Sequence, residues 1–268
     1  GIFTALGANN LKIAVTTEDK LTQCYVEIER WNNATNQAWL WVRVPEISAT
    51  GDTTLYLYYD ATASNNSTYV SVSQGVPAET VWDSNYKMVM HLENSPVGLM
   101  PDSTNNDTNG TSVGTMTAGD LVDSYISRGI DFDGTNDAIG FGNAFSSQTL
   151  TIEAIVKFDD VVPTDVGKGI VCKSYTGAHD WYFIIGTDSK LKLAAYNTTP
   201  AQILNFSGTT VLTTGVYYHL TAIISGNGNT GYIYVNGVED GSATQTGTIR
   251  NTKSIYIGAM GYVDAQRF

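Results

Sequence analysis

The sequence predicts an all-β protein, an antiparallel β-sandwich of jelly-roll type preceded by a smaller N-terminal β domain, and three observations carry that expectation. Residues 150–158, LTIEAIVKF, alternate, with Leu150, Ile152, Ala154, Val156 and Phe158 on one face and Thr151, Glu153 and Lys157 on the other. This period of two is that of a half-buried strand. Short strand-like runs recur along the chain between clusters of Gly, Asn, Asp and Ser, and a helical period is nowhere sustained.

In chain order, four strands are expected in the first part: Leu11 to Thr16, Gln23 to Glu29, Ala38 to Val44 and Thr54 to Tyr59. In the second of them Cys24, Val26 and Ile28 face one way and Tyr25, Glu27 and Glu29 the other. A polar connector, DATASNNSTYVSVSQ, comes next. The domains are therefore drawn as residues 1–78, a partial β domain with too few strands to close a sandwich, and residues 79–268. The second domain is expected to begin with a strand, Lys87 to Leu92, and to continue through a long surface loop from Asn94 to Gly119, rich in Asn, Asp, Ser, Thr and Gly and with at most one short strand. In GIDFDGTND, Ile130 and Phe132 alternate with Asp131 and Asp133 before Gly134 makes a turn. Further strands are expected at Gly169 to Lys173, Trp181 to Ile185, Lys190 to Tyr196, Gln202 to Phe206, Tyr217 to Ile224, Tyr232 to Val235 and Ser254 to Ile257. Asn236-Gly237 is a hairpin signal, because both residues tolerate the positive φ of a type I′ turn.

Composition narrows the function classes. With 14 Lys and Arg against 26 Asp and Glu the formal net charge is −12, which repels phosphate backbones, so no nucleic-acid partner is expected. No apolar run approaches the roughly 18 residues of a membrane span. Cys24 and Cys172 are the only cysteines, and both are expected as buried free thiols. Seven N-x-S/T acceptors, at Asn33, Asn65, Asn66, Asn106, Asn109, Asn197 and Asn205, are compatible with an extracellular, cell-surface or virion-surface protein.

Motifs for catalysis are sparse. His91, His179 and His219 stand far apart without zinc-ligand spacing. His91 and His219 fall in expected strands and are assigned structural roles, whereas His179, in the loop GAHDW, is a candidate for ligand contact. Gly226, Gly228 and Gly231 spell G-x-G-x-x-G, but a strand comes after them where a dinucleotide site needs a helix, so a hairpin turn is expected.

The order VWDSNYKMVMHLENS, PDSTNNDTNGT, GIDFDGTNDAIGFG, LTIEAIVKF, YYHLTAII, GYIYVNGV and SIYIGA, spanning residues 80–260, resembles the laminin-G-like, concanavalin A-like jelly roll. YVEIERWN, AWLWVRVPEIS and TTLYLYYD resemble part of an uncharacterised β domain that often precedes it. The resemblance implies a final strand after SIYIGA, in place of which stands GYVDAQRF; an unpaired edge beside Lys87 to Leu92 is an aggregation hazard, so either the sequence is truncated or strand exchange with a neighbouring chain supplies the strand. It also implies a candidate Ca²⁺ cofactor at the sandwich rim, with Asp102, Asn105, Asn106 and Asp107 as the favoured ligands and Asp133, Asn136 and Asp137 as the second set. Turn capping by the same residue types is the competing account. For sugar binding it implies exposed aromatics, here Tyr175, His179, Trp181 and Tyr196. Glycoside hydrolases of this fold set acids as E-x-D-x-x-E, which the EIERW of Glu27 and Glu29 does not match. These two are therefore read as charges on a solvated strand face beside Trp31, and no catalysis is expected. The function expected is non-catalytic recognition or adhesion, with carbohydrate or a surface protein as partner; the alternative is a structural subunit of a filament, sheath, surface layer or virion.

Overall fold

The computed structural model describes residues 1–159, 167–175 and 177–260. Its elements open with α1 (Ile2–Leu6), β1 (Ile13–Thr16), β2 (Gln23–Cys24), β3 (Val26–Asn32), β4 (Gln37–Val42), β5 (Tyr56–Tyr59), β6 (Val70–Val72) and α2 (Val76–Glu79). Five short strands come next: β7 (Leu99–Met100), β8 (Gly110–Val113), β9 (Leu121–Asp123), β10 (Arg128–Ile130) and β11 (Ala138–Gly140). The longer ones are β12 (Thr149–Lys157), β13 (Lys168–Tyr175), β14 (Ala178–Ile185), β15 (Leu191–Tyr196), β16 (Gln202–Ser207), β17 (Tyr217–Ser225), β18 (Thr230–Val235) and β19 (Val238–Thr244), before β20 (Ile255–Ile257). Two compact units emerge: Gly1–Ser95 with Met100–Asn109 and Leu121–Ile130, and Pro96–Leu99 with Gly110–Asp120 and Asp131–Phe268. The first reaches past residue 78, where the sequence draws the boundary.

In the first unit one sheet runs β2-β1-β5 and another β4-β3-β6, with β3 and β6 parallel. Leu6, Ile13, Val15, Cys24, Val26, Ile28 and Val70 form its buried core. The expected alternation of β3 holds as far as Ile28, where a bulge at Glu29 shifts the register against β4. Trp31 thereby turns to the core side, its indole donating to the Gly7 carbonyl at 2.8 Å, rather than lying beside the two glutamates.

Two expectations about residues 87–119 are corrected. Lys87 to Leu92 is not a strand, and Leu92 has a φ of 57°. The Val89 amide donates to Asp102 Oδ1 at 2.9 Å and its carbonyl accepts from the Ser103 amide, so a side chain and a loop take the place of a ladder. The Asn94 to Gly119 stretch is not wholly a surface loop either: it contributes β7 and β8, and Asp102, Ser103 and Thr104 are buried. Short polar side chains can go inside when they hydrogen-bond their own backbone, which hydropathy does not register. With no strand at 87–92 the expected exposed edge does not arise there. The strand expected to be missing falls on residues 261–268, outside the described residues.

The second unit is a sandwich. A sheet of order β16-β15-β14-β13-β20-β11-β8-β7 faces a sheet of order β12-β17-β18-β19. Ile152 and Phe158 are buried in the core with Trp181, Phe183, Leu191, Leu193, Leu220, Ala222 and Ile233, as the alternation of LTIEAIVKF requires, while Leu150, Ala154 and Val156 pack against it. Asn236 and Gly237 have φ of 51° and 78° and join β18 to β19, and Gly226 and Gly228 make the turn before β18. Both cysteines are free and buried. Among the described residues no helix is long and apolar enough to cross a membrane.

Candidate functional site

The sheet face of the second unit that turns away from this core carries an aromatic cluster. Strand β14 would place His179, Trp181 and Phe183 on one side by simple alternation. Its register against β13 shifts at Asp180: Lys173 pairs with Trp181 and Ser174 with His179. Beyond this bulge Trp181, Phe183 and Ile185 point into the core, and His179 joins Tyr182 on the other face. The His179 ring centroid lies 5.4 Å from Tyr182 and 5.6 Å from Tyr196, and the two tyrosine rings are 6.0 Å apart. The Tyr196 hydroxyl is 3.5 Å from that of Tyr182 and accepts from Gln202 Nε2 at 2.8 Å.

Of the four aromatics that the sequence suggests for sugar binding, His179 and Tyr196 are therefore brought together. Tyr175 is half exposed at the β13–β14 turn. Trp181 is 2% exposed and packs the sandwich core, so it is corrected from a ligand contact to a core residue. His179 lies in a strand, not in a loop. Tyr182 and Gln202 carry no signal of their own in the sequence, because only the pairing of β14, β15 and β16 sets them beside His179.

Asp180 holds the bulge. It is fully buried, and its carboxylate accepts from Arg250 Nε at 2.7 Å and from the Thr252 and Lys253 amides at 2.6 and 2.7 Å. Arg250 also donates to the His179 carbonyl at 2.6 Å, which ties the bulge to the ring cluster. Lys173 is buried beside it, donates to the Phe145 carbonyl, and is lowered in pKa by burial, against the pull of Asp180.

In the Asp102 loop the carboxylate is engaged by donors of its own chain. Asp102 is fully buried; Oδ1 accepts the Val89 and Thr104 amides, and Oδ2 accepts the Thr104 hydroxyl and the Thr108 amide. Four donors saturate its four lone-pair sites. Asn106 spends its amide nitrogen on the Tyr86 and Lys87 carbonyls, and Asp107 sits at φ 51° in the turn. Asn105 is exposed. In the second set, Asp133 Oδ1 accepts the amides of Thr135, Asn136 and Asp137, and Asn136 accepts that of Thr115. Asp137 is buried with Oδ1 lacking a hydrogen bond, and burial first, then Asp133 and Asp120, raise its pKa. Among the described residues no three His, Cys, Asp or Glu side chains are grouped to hold a metal. Asp102→Ala is expected to destabilise the first unit by about 2–4 kcal/mol, since three amides and a hydroxyl lose a buried acceptor. Urea unfolding measures it, and chelation by EDTA is expected not to reproduce it.

The first unit contains a site whose residues the sequence pattern assigns to solvent. Glu27 and Glu29 are 0% and 4% exposed, not solvated. Glu27 Oε2 accepts from the Trp82 indole at 2.7 Å, and Oε1 accepts from Ser73 and Ser103 at 2.7 and 2.6 Å. Glu29 Oε2 accepts from the Trp41 indole at 2.6 Å. His91 lies between them, Nε2 3.2 Å from Glu27 and Nδ1 3.5 Å from Glu29, with its ring stacked on Trp41 at 5.2 Å. It is not in a strand. Burial works to raise the Glu27 carboxyl, but His91, Ser103 and Ser73 outweigh it and hold it below the usual glutamate range. Burial, reinforced by Glu27, raises Glu29 in spite of His91 and Trp41. The closing residues come from positions 73–103, far along the chain from β3, so the period-two pattern of β3 could not report them. The only local signal is a second acid-flanked motif, HLE at 91–93, opposite EIE at 27–29.

Comparison with known proteins accords with this architecture. The sequence profile of the concanavalin A-like lectin/glucanase superfamily, of laminin-G type, matches residues 133–268, half of the chain. The chain belongs to this superfamily. A domain of unknown function, DUF2341, matches residues 9–76. No curated protein matches. Among solved structures, domain 4 of the extracellular GH43 arabinanase AbnA from Geobacillus stearothermophilus, in complex with arabinotriose, is similar at 19% identity and TM-score 0.44, over 65% of this chain and 80% of that one. The carbohydrate-binding module CBM66 from Bacillus subtilis is similar at 15% identity and TM-score 0.33, over 56% and 84%. A carbohydrate-binding protein of Bacteroides ovatus is similar at 19% identity and TM-score 0.32, over 42% of this chain and 31% of that one. The chain thus spans under a third of the length of that last relative.

In this concanavalin A-like chain the glycan acceptors differ in access. Asn33 and Asn65 are exposed, as is Asn205, whose side-chain amide donates to Gln202 Oε1 at 3.2 Å. The amide nitrogen that would carry a glycan is engaged at Asn66, with the Ile13 carbonyl and Gln23, and at Asn106. Asn109 accepts the Asp102 amide and Asn197 organises its own turn through Oδ1.

Proposed function

We propose that the second unit recognises carbohydrate, and that the whole chain is an extracellular or surface binding protein rather than an enzyme. The partly exposed rings of His179 and Tyr196 with the exposed Gln202, set over the buried Tyr182 on the sheet face away from the sandwich core, are the observation that carries this reading. Aromatic rings offer flat apolar area against the C–H faces of a sugar, while the tyrosine hydroxyl and the glutamine amide offer hydrogen bonds to its hydroxyls. Tyr175, half exposed at the neighbouring turn, extends the same polar–aromatic character. The superfamily membership supports a binding role at the level of fold, and the choice of ligand class rests on the cluster.

Affinity electrophoresis of the intact chain through gels holding soluble polysaccharides tests the reading. Retardation by at least one polysaccharide is expected. Tyr196→Ala is expected to weaken it about tenfold or more, equivalent to about 1.4 kcal/mol, with an unchanged circular dichroism spectrum. Binding that ignores Tyr196→Ala would move the site elsewhere, and absence of retardation by every polysaccharide would remove the carbohydrate reading.

A further inference from the structure

The buried acid cluster of the first unit plays no part in sugar recognition, and its geometry has a use of its own. Glu27 and Glu29 project from β3 on the side away from the Val26 and Ile28 core. Opposite them the irregular segment 88–93 supplies His91, whose two ring nitrogens lie 3.2 and 3.5 Å from the two carboxylates, and Glu93 two residues on. Ser73, His91, Glu93 and Ser103 line a cavity wide enough for about one water molecule. That space is too small for a sugar ring.

We infer that the cluster is a proton-operated latch, which holds residues 88–94 against β3 in mildly acidic solution and loosens them once Glu93 is ionised. Glu27 and Glu29 flank the His91 imidazole, and Glu93 lines the cavity beside it. Glu29 Oε1 and His91 Nε2 are buried without an aligned hydrogen bond, so the polar groups here are incompletely matched. The other charges facing Glu93 are Arg30 on β3 and Arg128 on β10, and the Arg30 guanidinium is also 3.8 Å from Asp123. An ionised carboxyl on the partly buried Glu93, lining the cavity with His91, adds like charge to that of Glu29, which Arg30 and Arg128 only partly offset.

Glu93 is pushed up to about 7, by burial first and Glu29 second, against His91, Arg30 and Arg128. The folded unit therefore keeps a proton on Glu93 that the unfolded chain loses near the ordinary glutamate value of 4.5, and stability falls as the pH rises through that window. Glu27 acts in the opposite sense: held low, it contributes fully above the ordinary glutamate range and loses that contribution as the pH falls through its folded value. The latch is thus firmest near about pH 5.

Hydrogen–deuterium exchange of the intact chain, read on peptides covering residues 87–94 and corrected for intrinsic rates, tests the latch. Protection is expected to fall about tenfold or more between about pH 5.5 and about pH 8.5, with a parallel change in the fluorescence of Trp41 and Trp82, which flank His91. Glu93→Gln is expected to keep the protection at both values. Equal protection of the wild-type segment at both pH values overturns the inference, and so does a loss in Glu93→Gln as large as in the wild type. A Glu93→Gln chain that fails to fold overturns it too, since the neutral side chain is the one the latch requires.

Discussion

Glu27→Ala is expected to lower the unfolding free energy of the first unit by about 3–5 kcal/mol, as when a buried carboxylate is removed from several donors at once. The substitution leaves the Trp82 indole and the Ser73 and Ser103 hydroxyls without their acceptor, and it leaves His91 beside a cavity. Each of those donors is worth about 1–3 kcal/mol when stranded, although repacking and water return part of the sum. Glu27→Gln is expected to cost less, because it keeps the volume and one acceptor oxygen while turning an N–H₂ toward groups that are themselves donors. Urea unfolding followed by tryptophan fluorescence checks both, since Trp41 and Trp82 report on this site. A loss below about 1 kcal/mol for Glu27→Ala would mean that water substitutes freely for the carboxylate.

Asp180→Ala is expected to have a comparable effect in the second unit, about 3–5 kcal/mol, because Arg250 is left without its partner in a site that is 11% exposed on the arginine side. The Thr252 and Lys253 amides lose their acceptor as well, and with them the connection leading into β20. The consequence for function is separate from stability. Without the bulge at Asp180 the turn end of β14 returns to simple alternation, and His179 moves off the face it shares with Tyr182 and Tyr196. Asp180→Asn keeps an acceptor for the amides but not the charge, and it is expected to retain the bulge at a smaller cost. Thermal unfolding and polysaccharide retardation together check the two effects. Full retardation in a stably folded Asp180→Ala chain would show that the bulge does not position the binding face.

The range of the interactions separates the features legible along the chain from those that are not. LTIEAIVKF sits with Ile152 and Phe158 in the core because a pleated strand alternates by geometry, whatever lies across from it. Asn236-Gly237 makes its turn because only those residue types adopt positive φ cheaply, again a local matter. The all-β class, the sandwich, the free buried thiols and the absence of a long apolar helix among the described residues rest on properties of that kind.

Trp181 and His179 part to opposite faces because one extra residue, Asp180, breaks the alternation between them, and the partner that holds the bulge, Arg250, lies 70 residues away. Lys87 to Leu92 departs from strand because its hydrogen bonds go to Asp102 and Ser103 instead of a neighbouring strand. Glu27 and Glu29 look like the wet side of a strand until Ser73, Trp82, His91 and Ser103 arrive to bury them. The sequence by itself determined the secondary-structure grammar and the fold class, which depend on backbone geometry and period. Only the tertiary structure decided which polar side chains are interior, because a buried carboxylate is stable only with donors that come from distant parts of the chain, and no local pattern records their arrival.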